Sequence, residues 1–254
     1  MIRNGLEINP ENPEFWFYLG YAHSEQEKYE EAIEITEQAV KQFEKHHRLH
    51  FLLGQSYDQA GQFEKAVATF ETALDINPDD IYTLNYLGYI LADRCLRLDE
   101  AKDMIEKALS QSPENGAFLD SLGWVYYRLG DFKKARFYVE KALKFEEKSA
   151  TMHDHLGDIY YELGKHKRAI LYWERALEMK DVNPKESQEI YQKLQNVRYP
   201  NSHVSYQSVL DTCVRCNPIV LLPATFPVGP TKPPRRDAIT DDRFCLGEPT
   251  RFQR

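Results

Sequence analysis

The chain has 254 residues, a formal charge of -8, 28% charged residues and 42% hydrophobic ones. Such an acidic chain lacks the basic face that sequence-independent nucleic-acid binding needs, and no apolar run in it reaches the length that crosses a bilayer. Four Cys in a chain of this length do not make a disulfide framework, and the size fits one large domain or a repeat array with an appendage.

Residues 1–12 read as the end of a repeat that begins upstream. Asn4 to Pro10, NGLEINP, aligns residue for residue with Thr72 to Pro78, TALDINP. The opening residues, MIRNGLEINPEN, lack the apolar core of a signal peptide. Taken as written the chain is expected in the cytoplasm. A bacterial periplasmic or envelope location is the alternative if a signal stood on a missing N-terminus.

A Leu-Gly pair then recurs, at Leu19-Gly20, Leu53-Gly54, Leu87-Gly88, Leu122-Gly123 and Leu156-Gly157, in steps of 34, 34, 35 and 34 residues. A fixed period of this size marks a repeat architecture. Residues 13–183 divide into five units, 13–46, 47–80, 81–115, 116–149 and 150–183. In each, an Ala follows the Gly by 12 residues (13 in the third unit), and a second Ala follows 7 later: Ala32 and Ala39, Ala66 and Ala73, Ala101 and Ala108, Ala135 and Ala142, Ala169 and Ala176. Between them sit Thr36, Phe70, Ile105, Val139 and Trp173. Gly61, Gly130 and Gly164 mark a turn before the first Ala in three units. Each unit is thus predicted to be two amphipathic helices joined by a short turn. Gly on one helix and Ala on the other let two backbones approach, and bulky neighbours fill the flanking grooves.

Residues 184–198 are predicted to form a capping helix. Asn183 is an N-cap, Pro184 suits the first turn and Glu186 completes a capping box. Ile190, Leu194 and Val197 make one apolar stripe, which would cover the open face of the last unit. Residues 199–254 hold 8 of the 13 Pro and 3 of the 4 Cys, and helical periodicity stops. They read as a Pro-rich disordered tail. Cys213 and Cys216 form a lone C-x-x-C without a second pair or a βαβ context, which does not make a zinc or redox site.

The pattern resembles the tetratricopeptide repeat (TPR). The second unit carries it most completely, in Leu53, Gly54, Tyr57, Gly61, Phe63, Ala66, Phe70, Ala73 and Pro78. Glu44, Glu147 and Asp181 depart from it at the Pro site, and Thr36 at the aromatic site. The resemblance implies an all-α, right-handed superhelical solenoid of antiparallel helix pairs over about residues 1–198. It also implies a non-catalytic scaffold or adaptor that binds a partner peptide or helix in a concave groove. More narrowly, the runs NYLGYILADR, DSLGWVYYRLG and HLGDIYYELGK with AILYWERAL resemble bacterial cell-envelope TPR adaptors. Two further readings stand beside this one: a regulatory TPR segment of a larger enzyme, and a self-assembling structural protein.

The concave face should be lined by the first helix of each unit. Three positions per unit are candidates. Three residues before the Gly stand Phe17, Phe51, Asn85, Asp120 and Asp154. One after it stand Tyr21, Gln55, Tyr89, Trp124 and Asp158, and four after it Ser24, Asp58, Ala92, Tyr127 and Tyr161. The groove would run from aromatic to acidic, and its partner would carry apolar anchors and a basic group. The same residues also fit another arrangement, with the aromatics packed between units and the carboxylates merely solvated. Some family members clamp a C-terminal carboxylate with Lys and Asn on this face; here only Asn85 is present, with no Lys or Arg, which disfavours that function. His46, His47 and His50 share a helical spacing, but nothing completes a ligand set, so no metal is expected. His153, Asp154 and His155 point to different faces of a helix. There is no phosphate loop, no G-x-S-x-G and no H-E-x-x-H, so neither catalysis nor a cofactor is expected.

Overall fold

The computed structural model describes residues 9, 11–180 and 182–199. Most of the expected upstream half-repeat, and the expected tail beyond Tyr199, lie outside the described residues. Those described are all-α, with eleven helices and no strand among them. None of these helices is long and apolar enough to cross a membrane.

The helices come in five antiparallel pairs: α1 Pro13–Ser24 with α2 Tyr29–Gln42, α3 His47–Gln59 with α4 Phe63–Ile76, α5 Ile81–Asp93 with α6 Leu98–Gln111, α7 Gly116–Arg128 with α8 Phe132–Ala142, and α9 Ala150–Glu162 with α10 His166–Glu178. The eleventh, α11 Pro184–Arg198, packs on α10. Side chains start many of them. Asn12, Asp80, Asn115 and Ser149 each accept a backbone N–H in the first turn of α1, α5, α7 and α9. Asn183 and Glu186 close a reciprocal capping box on α11. These bonds satisfy donors that a helix start leaves open.

The recurring Gly has a direct steric reason. A Cβ at Gly54 would stand 2.7 Å from the Phe70 ring, at Gly88 2.8 Å from Ile105, at Gly123 2.5 Å from Val139, and at Gly157 2.3 Å from Trp173. Each first helix therefore gives up its side chain so that the bulky residue of its own second helix can seat against the backbone. The Ala pairs on the second helices are fully buried, at 0% exposure. Seven residues after each of these Gly, and after Gly20, the chain turns left-handed: Glu27, Gly61, Cys95, Gly130 and Gly164 have φ of 58°, 74°, 56°, 78° and 69°. A left-handed residue at that position is thus common to all five pairs, and the longer third turn adds a second one, Arg97, with φ of 49°.

Neighbouring pairs join unevenly. α1 packs on α3, α5 on α7 and α7 on α9, while second helices pack mainly on the next pair's first helix. First helices accordingly form one shared layer, the inner face. Between α3 and α5 the seam is made by side chains: the Phe51, Phe70 and Tyr86 rings meet at centroid distances of 5.1–6.0 Å, and Tyr86 donates to Asp58 at 3.2 Å.

Candidate functional site: the inner face

The inner face has two contrasting ends. At the first, Phe17 and Tyr21 lie one turn apart on α1, with rings parallel at 6.4 Å. Tyr21 is 46% exposed. The Arg48 guanidinium covers the Phe17 ring at 4.5 Å and pairs with Glu14 at 2.9 Å. Gln55 is half-buried on α3. Phe51 belongs to the inter-pair seam rather than to an open surface, because Phe70 and Tyr86 enclose it. Asn85 is half-buried, and its Oδ1 has no hydrogen-bond partner.

At the other end the side chains close on one another. Asp120 is a correction to the expected groove lining: it is only 6% exposed, and His155 Nδ1 donates to its Oδ2 at 2.9 Å. The reason is that α7 and α9 pack together, so a carboxylate on that flank faces the next helix. Burial opposes a charge on His155, but the Asp120 carboxylate, with Asp154 and Asp158 behind it, raises its pKa above the ordinary value. The Trp124 indole stacks on the His155 ring at 4.1 Å and on Tyr127 at 4.7 Å, and its Nε1 donates to Asp93 at 3.2 Å. Trp124 and Tyr127 are therefore largely covered, at 8% and 4% exposure. They act as walls, not as free anchors. Tyr89 is half-buried, its ring 6.5 Å from His155.

The two acidic residues of the last unit are not free either. Lys193 of α11 reaches across and donates to both oxygens of Asp154 and to Asp158 Oδ2, each at 2.8 Å. Asp158 Oδ1 accepts from Trp173 Nε1 at 2.9 Å. Burial and the Asp158 charge still push the Asp154 carboxyl up to about 6. A helix expected only to shield an apolar face thus also places an ammonium in the groove. Sequence reasoning missed Lys193, His155, Asp93 and Trp173 as parts of this site. Asp154 and Asp158 carried a usable signal, since two carboxylates one turn apart on a covered face require a cation from whatever covers them.

Two cavities flank Lys193. The larger, about 440 Å³, is walled by Trp124, Tyr127, Asp158, Tyr161, Trp173 and Val197. The smaller, about 220 Å³, lies between Tyr89, Asp93, Asp154, Glu186 and Glu189. Asp158 and Trp124 border both.

Family profiles described as tetratricopeptide repeat match residues 1–34, 24–84, 116–149 and 150–183. The last two ranges are those of the fourth and fifth units. A TPR repeat-containing protein of Pseudomonas aeruginosa is 35% identical over 120 residues, which is 46% of this chain and 20% of that protein. Anaphase-promoting complex subunit 3 of Schizosaccharomyces pombe is 26% identical over 130 residues, 51% of this chain and 19% of that one. The chain spans about a fifth of the length of the curated relatives it matches. Among solved structures, a thermophilic TPR protein of Thermus thermophilus superposes with a TM-score of 0.63 at 19% identity, over 72% of this chain and 99% of that one. The hetero-tetramer Cut9–Hcn1 of the anaphase-promoting complex superposes with a TM-score of 0.70 at 16% identity, over 87% and 43%. At these identities the superpositions establish the fold alone.

Proposed function

The chain belongs to the tetratricopeptide repeat family, whose repeats generally serve as non-catalytic protein-interaction modules, and on that premise we propose that it is a scaffold or adaptor that holds a partner protein segment along its inner face. The observation that carries this reading is the aromatic cavity of about 440 Å³ between α7, α9 and α11. A concave, mostly apolar site with a few fixed polar groups is the usual form of a binding pocket, and aromatic walls supply contact area with few rotors to freeze. Apolar anchors of the partner would enter it, and a basic group would meet the carboxylates of Asp158 and Glu162 on its walls. Two of the matched relatives are by name members of multi-protein complexes, which supports the same reading.

The test is to capture partners on the full chain and repeat the capture with inner-face and outer-face variants. Tyr161→Ala removes one wall of the cavity, and Phe137→Ser alters a residue of α8 that is 60% exposed. The expected result is a partner lost, by about tenfold or more in affinity, from Tyr161→Ala and retained by Phe137→Ser. The reverse pattern, at equal thermal stability, would place binding on the outer helices.

A further inference from the structure

We propose that the large cavity is an arginine-binding site, and that the chain's own Lys193 competes with the partner's arginine for one wall of it. The inference rests on the inner face being the binding surface and names what that surface selects. Four observations combine. First, the cavity is lined by Trp124, Tyr127, Tyr161 and Trp173. Trp124 is already stacked on His155 and Tyr127 and carries the Arg128 guanidinium at 5.4 Å. That leaves Tyr161 and Trp173 as the rings for an incoming guanidinium, a group that stacks on aromatics more readily than an ammonium does. Second, on the larger cavity Asp158 and Glu162 balance Lys193 and Arg128, and the negative surplus lies on the smaller cavity beyond Lys193. Asp93, Asp154, Asp158, Glu162, Glu186 and Glu189 border the two cavities, against Lys193 and Arg128. Arg128 already donates to the backbone carbonyls of Ala92 and Asp93.

Third, the chain itself demonstrates that a cation fits, because the Lys193 ammonium sits 2.8 Å from Asp158. Fourth, the exchange leaves no orphaned charge. Lys193 keeps both oxygens of Asp154 when it releases Asp158. Asp158 meanwhile stays oriented by the Trp173 indole N–H on its other oxygen. A planar guanidinium entering from the larger cavity would take the Asp158 oxygen that Lys193 gives up, flanked by the indole and phenol rings. α11 is then both a cover for the last unit and a built-in competitor that sets how strongly the arginine must bind.

The probe is N-acetylarginine amide, with N-acetylcitrulline amide as its uncharged isostere, added to the full chain and followed by tryptophan fluorescence and by the Trp173 indole N–H resonance. The arginine probe is expected to bind about tenfold tighter than the citrulline one, the factor of one charge-assisted contact beside aromatic rings. Asp158→Asn, which still accepts from Trp173, should erase that difference. Lys193→Met and Lys193→Gln should each tighten the arginine probe several-fold and leave the citrulline probe unchanged. Equal binding of the two probes, or unaltered arginine binding in Asp158→Asn, would overturn the site. Weaker arginine binding in both Lys193 variants would overturn the competition. A captured partner that is lost from Tyr161→Ala but indifferent to Asp158→Asn would leave the groove function standing and remove the arginine site.

Discussion

The first and last units are built on one repeat register and end in opposite states. In α1 the inner-face rings of Phe17 and Tyr21 stack on each other, Arg48 covers the Phe17 ring, and Tyr21 remains nearly half exposed. In α9 the equivalent positions are Asp154 and Asp158, and they are bonded to Lys193 and Trp173, while the neighbouring His155 pairs with Asp120 of the preceding pair. The repeat framework fixes where a side chain points. Which partner meets it there is decided by the neighbour, and only the last unit has α11 beside it. The open end is therefore governed by exposed aromatic surface, and the closed end by buried charge.

The largest test of that contrast is removal of a buried charge partner. His155→Phe keeps a ring against Trp124 but leaves the Asp120 carboxylate buried alone. Breaking a buried pair from one side costs about 3–5 kcal/mol, whereas Glu14→Gln, which breaks the exposed pair with Arg48 at the open end, should cost under about 1 kcal/mol. Urea denaturation of both variants measures the gap. Adding Asp120→Asn to His155→Phe should recover part of the loss. If the single His155 variant matches Glu14→Gln, the closed end is not held by charge.

The next effect is a pH dependence. The Asp154 carboxyl titrates near 6 in the folded chain, against an ordinary value of 3.8. The folded state thus binds a proton more readily than the unfolded one across that window. Stability from this group is greatest below the unfolded value and falls as pH rises through about 6, by on the order of 2 kcal/mol. His155, whose pKa is also raised, works in the same direction: its contribution is fully present below its unfolded value and is lost as pH rises through its folded one. Denaturation at pH 4.5 and 7.5 should show Asp154→Asn losing less stability over that interval than the parent. An identical pH slope in the two proteins would mean that Lys193 fully compensates Asp154.

Much of this molecule was legible in its sequence because repetition supplies its own controls. Five copies of Leu-Gly, Ala and Ala at one spacing point to paired helices even where a single unit is atypical. The steric reason also follows, since Gly157 is small and Trp173 large at matched positions. What was not legible is the lateral pairing. Nothing in the local spacing says that Asp120 turns toward His155 of the next unit, or that Lys193 reaches 35 and 39 residues back to Asp158 and Asp154. Helical periodicity assigns a face, but the choice among groups on facing helices is made by packing between units.

The same pairing bears on the contact between α9 and α10. Gly157→Ala would drive a methyl into the Trp173 ring, which its Asp158 bond holds in place. Gly20→Ala meets a single Thr36 methyl at 2.6 Å and Leu52 at 3.1 Å. Overpacking costs about 1–3 kcal/mol and is offset by about 1 kcal/mol of helix propensity. Thr36 is β-branched, fully buried and bonded through its hydroxyl to Ala32 O, so it gives way with difficulty. The expected net loss is about 2 kcal/mol at Gly157, where a whole ring must move, and about 1 kcal/mol at Gly20, by thermal or urea melting. Equal losses would show that the closed end is no more rigid than the open one.

The smallest effect isolates the turn from the face. Gly61 and Glu27 occupy the same left-handed turn position with the same hydrogen bonds. Gly61 N–H donates to Asp58 O and Gln62 N–H to Tyr57 O, as Glu27 N–H donates to Ser24 O and Lys28 N–H to His23 O, all between 2.8 and 3.0 Å. The turns differ in the side chain that must adopt positive φ. A Cβ there is strained by about 1 kcal/mol, and Gly loses part of that gain to the greater freedom of the unfolded chain. Glu27→Gly should therefore stabilise the first pair by about 0.5 kcal/mol. Amide exchange in α1 and α2 reads it more sensitively than global melting, because an array frays from its ends. Slower exchange there, with α9 and α10 unchanged, would show that the strained turn limits the stability of the first pair. Unchanged exchange in α1 would show that the turn adds nothing measurable to it.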